Sequence, residues 1–378
     1  MVIDPIHILS ELVRINSVNS FYPEGPGEGA LADYIETFWK AHGIEVWRQS
    51  VLPGRDNVIA RLPGLESQRR LLLEAHMDTV SVAGMTIPPF EPTIADGKLY
   101  GRGACDTKAG LACMMAATAM AKQKGLVPRS EVWMASVIDE EFSCKGVIKL
   151  CESLQACAAI VAEPTELKTV IASKGVLRWR ITARGKQAHS SKVHLGVNAI
   201  HHMAHLLIAI ETYHQTLSEI KHPLLGSATG NVGLIEGGVQ VNFVPDRCTI
   251  QIDRRLLPFE KVDSVLAGYQ SVIDSVEAGH VGASFEMERP LLFDGGLETP
   301  AEAAIARLSC SILREMGYSD AVEGVAYGSD GTHIRQLGIE TIIFGPGSID
   351  QAHTECEYVE VDQVRAAFEY YQRIIKEF

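Results

Sequence analysis

Five side chains of the type that bind divalent metal ions stand far apart along this chain. Four of the five lie at or just beyond the end of a strand-like apolar run, and the set is His76, Asp106, Glu141, Glu163 and His353. In an open α/β sheet, the ends of several strands converge on one crevice. Two imidazoles and three carboxylates are the ligands that a pair of zinc-like ions needs. The sequence therefore predicts that these scattered residues form a single site.

The chain, at 378 residues, is too long for one ordinary hydrophobic core, so we expect two domains. Strand and helix patterns alternate up to about residue 173, which predicts parallel strands with helices on both faces. From residue 174 the order becomes β-α-β-β-α-β, typical of a small ferredoxin-like sandwich. We therefore predict an α/β fold with a discontinuous domain, residues 1–173 and 291–378, and an inserted α+β domain, residues 174–290.

The individual elements are predicted from the period of their apolar residues. Helices are expected at residues 28–43, 108–124, 147–154, 196–212, 261–276, 301–316 and 361–376. Strands are expected at residues 58–60, 71–73, 132–138, 159–162, 176–184, 230–235, 249–255, 283–288 and 341–344.

Composition excludes several classes of function. The net charge is −13 and no Lys/Arg-rich tract is present, so we expect no nucleic-acid partner. No apolar run reaches the roughly 18 residues that span a bilayer, and no basic leader opens the chain. The eight cysteines form no C-x-x-C pair, which favours reduced thiols. We therefore expect a cytoplasmic protein that does not bind membranes.

The first candidate ligand, His76, stands two residues before a carboxylate, Asp78. Side chains alternate along a strand, so the two should point the same way. We expect the Asp78 carboxylate to accept a hydrogen bond from the ring nitrogen that does not bind metal, which fixes the tautomer. Taken alone, a single histidine is more often a satisfied core residue.

Asp106 lies in a turn between a Gly-rich strand end and an Ala-rich helix, where its two oxygens can bridge two ions. A helix N-cap is the competing interpretation. Gly101 and Gly103 also resemble the start of a dinucleotide-binding loop. Asp106 occupies the place of the third glycine, where a carboxylate would repel a pyrophosphate, so we reject that loop.

Asp139, Glu140 and Glu141 form an acidic run directly after a predicted strand. Adjacent carboxylates repel each other, and a cation removes that penalty. Glu140 and Glu141 should point to opposite sides, so one can bind metal while the other accepts a proton. A solvated acidic turn is the simpler alternative for this run alone.

Further candidates follow along the chain. Glu163 precedes Pro164, which keeps it extended at the end of a strand. Before His353, the loop that contains Gly345 and Gly347 either presents backbone N–H groups to an anion or is a plain turn. The inserted domain contributes three candidates, of which the last also fits a solvated strand face: His189, Asn242 and Arg255.

Taken together, these motifs resemble one family of co-catalytic metallopeptidases. It is the family of acetylornithine deacetylase, succinyl-diaminopimelate desuccinylase, aminoacylase and glutamate carboxypeptidase. The resemblance covers nearly the whole chain, and it keeps the order and spacing of every motif. It rests on His76-Met77-Asp78-Thr79-Val80, Gly101-Arg102-Gly103 with Asp106, Lys108 and Gly110, Asp139-Glu140-Glu141, Ala188-His189-Ser190-Ser191 and Gly196-Val197-Asn198-Ala199-Ile200.

The resemblance implies a zinc-peptidase-like sheet and a role for each ligand. His76 and Glu163 would hold one zinc ion, and Glu141 and His353 would hold the other. Asp106 would bridge the two, across a cis peptide bond to Thr107. Co²⁺ is the expected substitute for either ion.

The resemblance also implies the remaining roles in the site. Asp78 would orient His76, and Glu140 would be the general base. The inserted domain would be a lid and dimerisation domain, so that the partner subunit's His189 polarises the scissile carbonyl in a homodimer. Substrate binding would fall to Asn242, Arg255, Gly345 and Gly347.

The implied reaction is hydrolysis of the amide bond of an N-acyl-L-amino acid or small peptide. Residues 345–353 look most like acetylornithine deacetylase. A desuccinylase, a broad aminoacylase and a small-peptide carboxypeptidase or dipeptidase stay open within the family. Residues 354–358 and 327–331 depart from its usual pattern. Outside enzymes, a metal-binding homologue without activity is the alternative, while a serine hydrolase is disfavoured because no G-x-S-x-G is present.

Overall fold

The computed structural model describes residues 3–378, and these form two compact units. The first unit consists of residues 3–171, 298–323 and 329–378, and the second of Ala172–Leu297 with Gly324–Gly328. The domain boundaries predicted from the sequence fall after residue 173 and after residue 290. Nothing in the sequence had indicated that residues 324–328 group with the second unit. The lid and dimerisation roles of that unit stay predictions.

The first part of the chain begins with two helices and then builds most of a sheet. Its elements are α1 (Pro5–Arg14), α2 (Gly29–Ala41), β1 (Glu45–Leu52), β2 (Arg55–Leu62), β3 (Glu66–His76), β4 (Thr93–Ala95), β5 (Lys98–Tyr100), α3 (Lys108–Gln123), β6 (Ser130–Val137), α4 (Lys145–Cys151), β7 (Ala158–Val161) and β8 (Thr169–Ser173). Helix α1 starts where Asp4 accepts the backbone N–H of Ile6 at 3.0 Å and Pro5 occupies the first turn.

The second unit follows, and the chain then returns to the first. The elements of the second unit are β9 (Gly175–Arg184), β10 (Ala188–His189), α5 (Ala199–Thr216), β11 (Lys221–His222), β12 (Gly226–Ser227), β13 (Thr229–Gly237), β14 (Phe243–Val244), β15 (Arg247–Leu256), α6 (Val262–Gly279), β16 (Phe285–Met287) and β17 (Leu292–Asp294). The returning segment contains β18 (Leu297–Glu298), α7 (Ala304–Glu315), β19 (Val322–Val325), α8 (Gly331–Gln336), β20 (Glu340–Ile343), β21 (Tyr358–Glu360) and α9 (Val361–Glu377).

The central sheet has the order β1-β2-β6-β3-β7-β20-β8-β18, with β19 also beside β8. The middle strands β6, β3, β7 and β20 run parallel, whereas β1, β2 and β8 pair antiparallel. The predicted α/β fold is confirmed, but the sheet as a whole is mixed and its parallel part is the centre. The parallel strands are buried on both faces, which explains their continuous apolar runs.

Helices cover both faces of this centre. On one face, Leu72 of β3 packs in a cluster with Val147 and Leu150 of α4 and Ile334 of α8. Leu71, its neighbour on the opposite face, is also fully buried, and α3 packs against β3, α1 and α9. Among residues 3–378, no helix has the combination of length and apolar character needed to cross a membrane.

The second unit contains an antiparallel sheet of order β13-β15-β9-β16, with β17 also beside β9. With α5 and α6 in their places, this is the predicted ferredoxin-like order. One face of the sheet forms a core in which Trp179 and Ile250 meet Tyr269 of α6 and Leu206 of α5. The other face is more polar and carries a separate set of charged residues.

Candidate metal centre

Four of the five candidate ligands follow the carboxyl ends of the parallel strands. His76 is the last residue of β3, Glu141 lies in the turn after β6, and Glu163 follows β7. His353 comes after the loop that leaves β20. Because parallel strands end at the same edge of a sheet, this topology brings together residues that are up to 277 positions apart (76 to 353). Asp106 completes the set from the turn before α3.

The five side chains form two groups that share Asp106. In one group, His76 Nε2 lies 3.1 Å from Asp106 Oδ1 and 4.0 Å from Glu163 Oε1. In the other, His353 Nε2 lies 3.3 Å from Asp106 Oδ2 and 3.1 Å from Glu141 Oε1. Within each group the donor atoms all lie within 4.8 Å of one another, close enough to hold a metal ion. Each oxygen of Asp106 faces a different group.

The electrostatics of the cluster fit divalent cations. Burial and the charge of Asp106 raise the pKa of Glu141 to about 7. Burial also raises the pKa of Glu163 well above its usual value, with the neighbouring carboxylates adding to the effect. Hydrogen bonds to Asp106 and Glu141 raise the pKa of His353 to about 10, so without metal the cluster offsets its negative charge with protons. Metal ions would take the place of those protons, as metal binding usually requires deprotonated ligands.

Asp78 occupies a different place from the one that strand alternation suggested. The Nδ1–H of His76 donates to the backbone carbonyl of Asp78 at 3.0 Å, whereas the Asp78 carboxylate lies 3.7 Å from that nitrogen. The carboxylate instead accepts the backbone N–H groups of Glu140 and Glu141, each at 3.1 Å. The backbone carbonyl thus orients the ring and leaves Nε2 facing the cluster, while the carboxylate holds the acidic run in place.

A buried network of hydrogen bonds, which the sequence had not indicated, supports the acidic run. Asn19 donates from Nδ2 to Asp78 at 2.8 Å and to Asp139 at 3.1 Å. Arg55 donates to the buried Glu28 and, at 3.1 Å, to Asp139. Asp139 has a φ of 70°, a left-handed conformation that is uncommon for residues other than glycine. These contacts stabilise that turn and so fix where Glu140 and Glu141 emerge.

Glu140 is held by this network through its backbone N–H and directly precedes the candidate ligand Glu141. Burial raises its pKa well above the usual value for a glutamate, and the charges of Asp330 and Glu141 raise it further, against the opposing effect of His76. A carboxyl group shifted upward in this way accepts a proton more readily than an ordinary surface carboxylate.

Glu357 supports Asp106 from a distant part of the chain. Its buried carboxylate accepts the backbone N–H groups of Gly103, Cys105 and Asp106 at 3.0, 2.9 and 3.1 Å, and the guanidinium of Arg102 at 2.7 Å. The peptide bond from Asp106 to Thr107 is cis, as the resemblance implied. Glu357 therefore shapes the turn that presents Asp106, although no local pattern in the sequence pointed to it.

The loop with Gly345 and Gly347 is built to pass close to the ligands. The N–H of Gly345 donates to Thr165 Oγ1 at 3.1 Å, and that of Gly347 donates to Gln363 Oε1 at 2.8 Å. A Cβ on Gly345 would lie 2.5 Å from the carbonyl oxygen of Glu163, so only glycine fits there. Both N–H groups are engaged within the protein, which favours the plain turn over an anion site.

The three candidates of the second unit have clear local partners. His189 is exposed, and its Nδ1 accepts the backbone N–H of Ser191 at 3.1 Å, which places the ring proton on Nε2. The backbone carbonyl of Asn242 accepts the N–H of Ser190 at 3.0 Å, so Asn242 and His189 are neighbours. Arg255 donates to Asp253 at 3.1 Å on the polar face of the sheet. Their roles toward a substrate stay predictions.

Comparison with known proteins decides the family. The model of peptidase family M20/M25/M40 matches residues 72–377. The chain belongs to this family. Its members include metallopeptidases, and the chain is accordingly a hydrolase with a candidate metal centre.

Individual M20 relatives are similar in sequence to this chain over almost its full length. An acetylornithine deacetylase from Myxococcus xanthus is 32% identical over 369 residues, which are 94% of this chain and 92% of that protein. A probable succinyl-diaminopimelate desuccinylase from Staphylococcus epidermidis is 25% identical, with 99% and 98% covered. The relatives support the family and leave the substrate open.

Solved structures share the M20 fold. The aminopeptidase PepT from Bacillus cereus superposes with a TM-score of 0.82 at 24% identity, covering 98% of this chain and 97% of that one. A dinuclear metal-binding M20 peptidase from Bacillus subtilis gives a TM-score of 0.75 at 16% identity, with 98% and 96% covered.

Proposed function

We propose that this M20 hydrolase cleaves the amide bond of an N-acyl-L-amino acid, in the manner of acetylornithine deacetylase. The observation that carries the proposal is the pair of ligand groups that meet at Asp106, with Glu140 beside them. The 32% identity to an acetylornithine deacetylase over nearly the whole chain supports deacylation over other amide hydrolysis.

The ligand set favours two zinc ions, with cobalt as a substitute. His76 and Glu163 would hold one ion, Glu141 and His353 the other, and Asp106 would bridge them through its two oxygens. Imidazole and carboxylate are ligands that zinc accepts readily. When bound, two such ions lower the pKa of a water molecule and stabilise negative charge on the substrate's carbonyl oxygen.

Glu140 is the proposed general base. Its raised pKa and its fixed backbone support removal of a proton from the attacking water and delivery of that proton to the leaving amine. Asp78 is a positioning residue in this scheme, because its carboxylate holds the N–H of Glu140 and its carbonyl orients His76.

The second unit would supply the remaining contacts as a lid in a homodimer. With its proton on Nε2, His189 has a donor available for the scissile carbonyl, and Asn242 and Arg255 would position the substrate. Strand β13 is at an edge of its sheet and exposes Leu234 and Ile235, which supports pairing with a second copy. All eight cysteines are free, which fits a reducing compartment such as the cytoplasm.

The trans role of His189 has a direct test. Glu140→Ala and His189→Ala proteins, each inactive, are mixed under conditions that exchange subunits. Restored activity supports a site completed by the partner subunit. A mixture that stays inactive after exchange has been verified, for instance with two affinity tags, would argue for a site within one chain.

A substrate screen tests the activity itself. Acetyl-ornithine, succinyl-diaminopimelate, other acyl amino acids and dipeptides are assayed with added Zn²⁺ or Co²⁺. We expect hydrolysis of at least one acyl amino acid, its loss after treatment with a chelator, and its return with metal. Activity that persists without metal would contradict the proposed mechanism. Hydrolysis of dipeptides alone would contradict the proposed substrate class and indicate a peptidase.

A further inference from the structure

Two large aromatic rings are left in solvent on the first unit. Phe21 is 58% exposed and Phe142 is 47% exposed. They stack on each other, with ring centroids 3.9 Å apart and planes inclined by only 16°. A single exposed apolar side chain is ordinary, but a stacked exposed pair forms a flat apolar surface that gains from being covered.

We call Phe21 and Phe142 the aromatic platform. Each of the two residues is linked to the candidate metal centre. Phe142 directly follows the candidate ligand Glu141. The backbone N–H of Phe21 donates at 3.0 Å to Oδ1 of Asn19, the residue whose Nδ2 holds the Asp78 carboxylate. The platform is therefore carried by the same network that fixes Glu140 and Glu141.

A third aromatic ring, that of Tyr22, lies beside the platform. It lies 5.6 Å from that of Phe21 in an edge-on arrangement. Burial raises the pKa of Tyr22, and the charge of Glu141 raises it further against the opposing charge of Arg102. Because Phe142 directly follows Glu141, the apolar surface begins one residue from a candidate ligand.

We infer that Phe21 and Phe142 form a substrate subsite that receives an aromatic or large apolar group of the N-acyl amino acid. This inference rests on the proposed amide hydrolysis and narrows its substrate class. An aromatic group that packs on the exposed part of the pair removes apolar area from water. An ammonium group, such as that of ornithine, can also approach an aromatic face, but it must give up hydration to do so.

Binding measurements separate these ligands. The full-length, metal-loaded protein carrying Glu140→Gln is titrated by calorimetry, so that ligands are not consumed. N-acetyl-L-phenylalanine is compared with N-acetyl-L-alanine and N-acetyl-L-ornithine, and N-benzoylglycine with N-acetylglycine. We expect the aromatic member of at least one pair to bind tighter, and Phe142→Ala or Phe21→Ala to reduce that advantage by up to about tenfold, the range of one aromatic contact.

Controls make the result specific. Phe142→Leu keeps an apolar side chain without a ring and should retain part of the advantage. Tyr318→Ala removes an exposed aromatic ring elsewhere in the same unit and should leave the advantage unchanged. An advantage that is equal in wild type and both platform variants would overturn the inference, and so would Phe142-dependent preference for acetyl-ornithine.

Hydrolysis assays of the same ligands on protein with Glu140 intact keep the two proposals apart. If no ligand is hydrolysed with either metal, the proposed function fails, while the calorimetric ratios still decide the platform. In the opposite case, ligands are hydrolysed but neither Phe21→Ala nor Phe142→Ala changes the ratio of kcat/KM between aromatic and small substrates. That result would support the proposed function and contradict the proposed subsite.

Discussion

The carboxylate of Asp78 accepts the backbone N–H of Glu140 at 3.1 Å, across 62 positions of the chain. Its second oxygen accepts the N–H of Glu141 at the same distance. A residue expected to orient a histidine with its side chain therefore holds the backbone of the proposed base, Glu140, and of one candidate ligand, Glu141. The histidine is oriented by the carbonyl of the same residue.

Asp78→Asn should lower turnover and stability together. The new amide must turn its NH₂ group toward a donor, so at least one backbone N–H loses its acceptor, at a cost of about 1–3 kcal/mol. Because supporting residues of metal sites commonly change activity by roughly 10–100-fold, we expect kcat to fall in that range. Thermal unfolding and kinetics measure the two effects, with Asp33→Asn, an exposed residue paired with Arg48, as control.

Glu140→Gln should separate chemistry from metal binding. The amide keeps the size of the side chain but cannot accept the proton, so kcat should fall by about 10²–10⁴-fold. Metal content by atomic emission should equal that of wild type. Glu141→Gln, one residue away, should lose metal instead. Turnover near the wild-type level in the Glu140 variant would show that another group is the base.

His353→Ala should remove metal at little cost to the fold. The His353 side chain is 52% exposed, so its truncation leaves the core intact. We expect the protein to lose at least one metal equivalent while its melting temperature without metal changes little. His7→Ala, at an exposed position of α1, is the matched control. If the His353 variant still bound two metal ions per subunit, His353 would not be a ligand.

Glu357→Gln should weaken metal binding without touching a ligand. Its carboxylate accepts four donors around Asp106, and an amide cannot accept them all. Breaking a buried ion pair of this kind costs about 3–5 kcal/mol, so the free energy of unfolding should fall. Metal affinity, measured below the unfolding temperature by competition with a chelator, should fall about 10–100-fold. Glu355→Gln is the exposed control, and unchanged affinity in folded Glu357→Gln protein would confine Glu357 to a purely structural role.

Asp294 should make the stability of the second unit depend on pH. Burial raises its pKa from 3.8 to about 7, so the folded state holds a proton that the unfolded state releases above pH 4. Its contribution is therefore present at low pH and is lost as pH rises from about 4 to about 7, with an upper limit of about 4 kcal/mol for three pKa units.

Asp294→Asn removes this dependence. The variant should be close to wild type in thermal stability at about pH 4 and exceed it at pH 8, because above pH 4 the wild-type carboxyl ionises freely only in the unfolded state. Melting curves across this range provide the measurement. A constant difference between the two proteins at all pH values would show that Asp294 does not titrate in the folded state.

Local sequence patterns were sufficient to predict the strands that position the candidate ligands. Strands β3, β6, β7 and β20 are continuous apolar runs with ligand residues after them, so both their type and their common edge followed from the sequence. Helix α1 went unrecognised, although Asp4 and Pro5 are an ordinary start signal for a helix. Strand β8 was also missed, because a five-residue buried run between loops has no period of its own.

The residues that support the candidate ligands, such as Glu357, could not be predicted from local sequence patterns, for a different reason. Glu357 and Asp106 are 251 positions apart, and the hydrogen bond between them is made by a backbone N–H, which leaves no trace in residue type. The same holds for Asp78, whose carboxylate binds backbone groups of Glu140 and Glu141.

The sequence by itself determined the family, the set of candidate metal-binding side chains and the edge of the sheet at which they gather, because ligand chemistry depends on residue type and strand order depends on apolar runs. Only the tertiary structure decided which oxygen of Asp106 faces which histidine, what the Asp78 carboxylate holds and where Phe21 meets Phe142. Those relationships depend on distances of about 3–4 Å between segments far apart in the chain, and such distances are set by packing and not by spacing along the sequence.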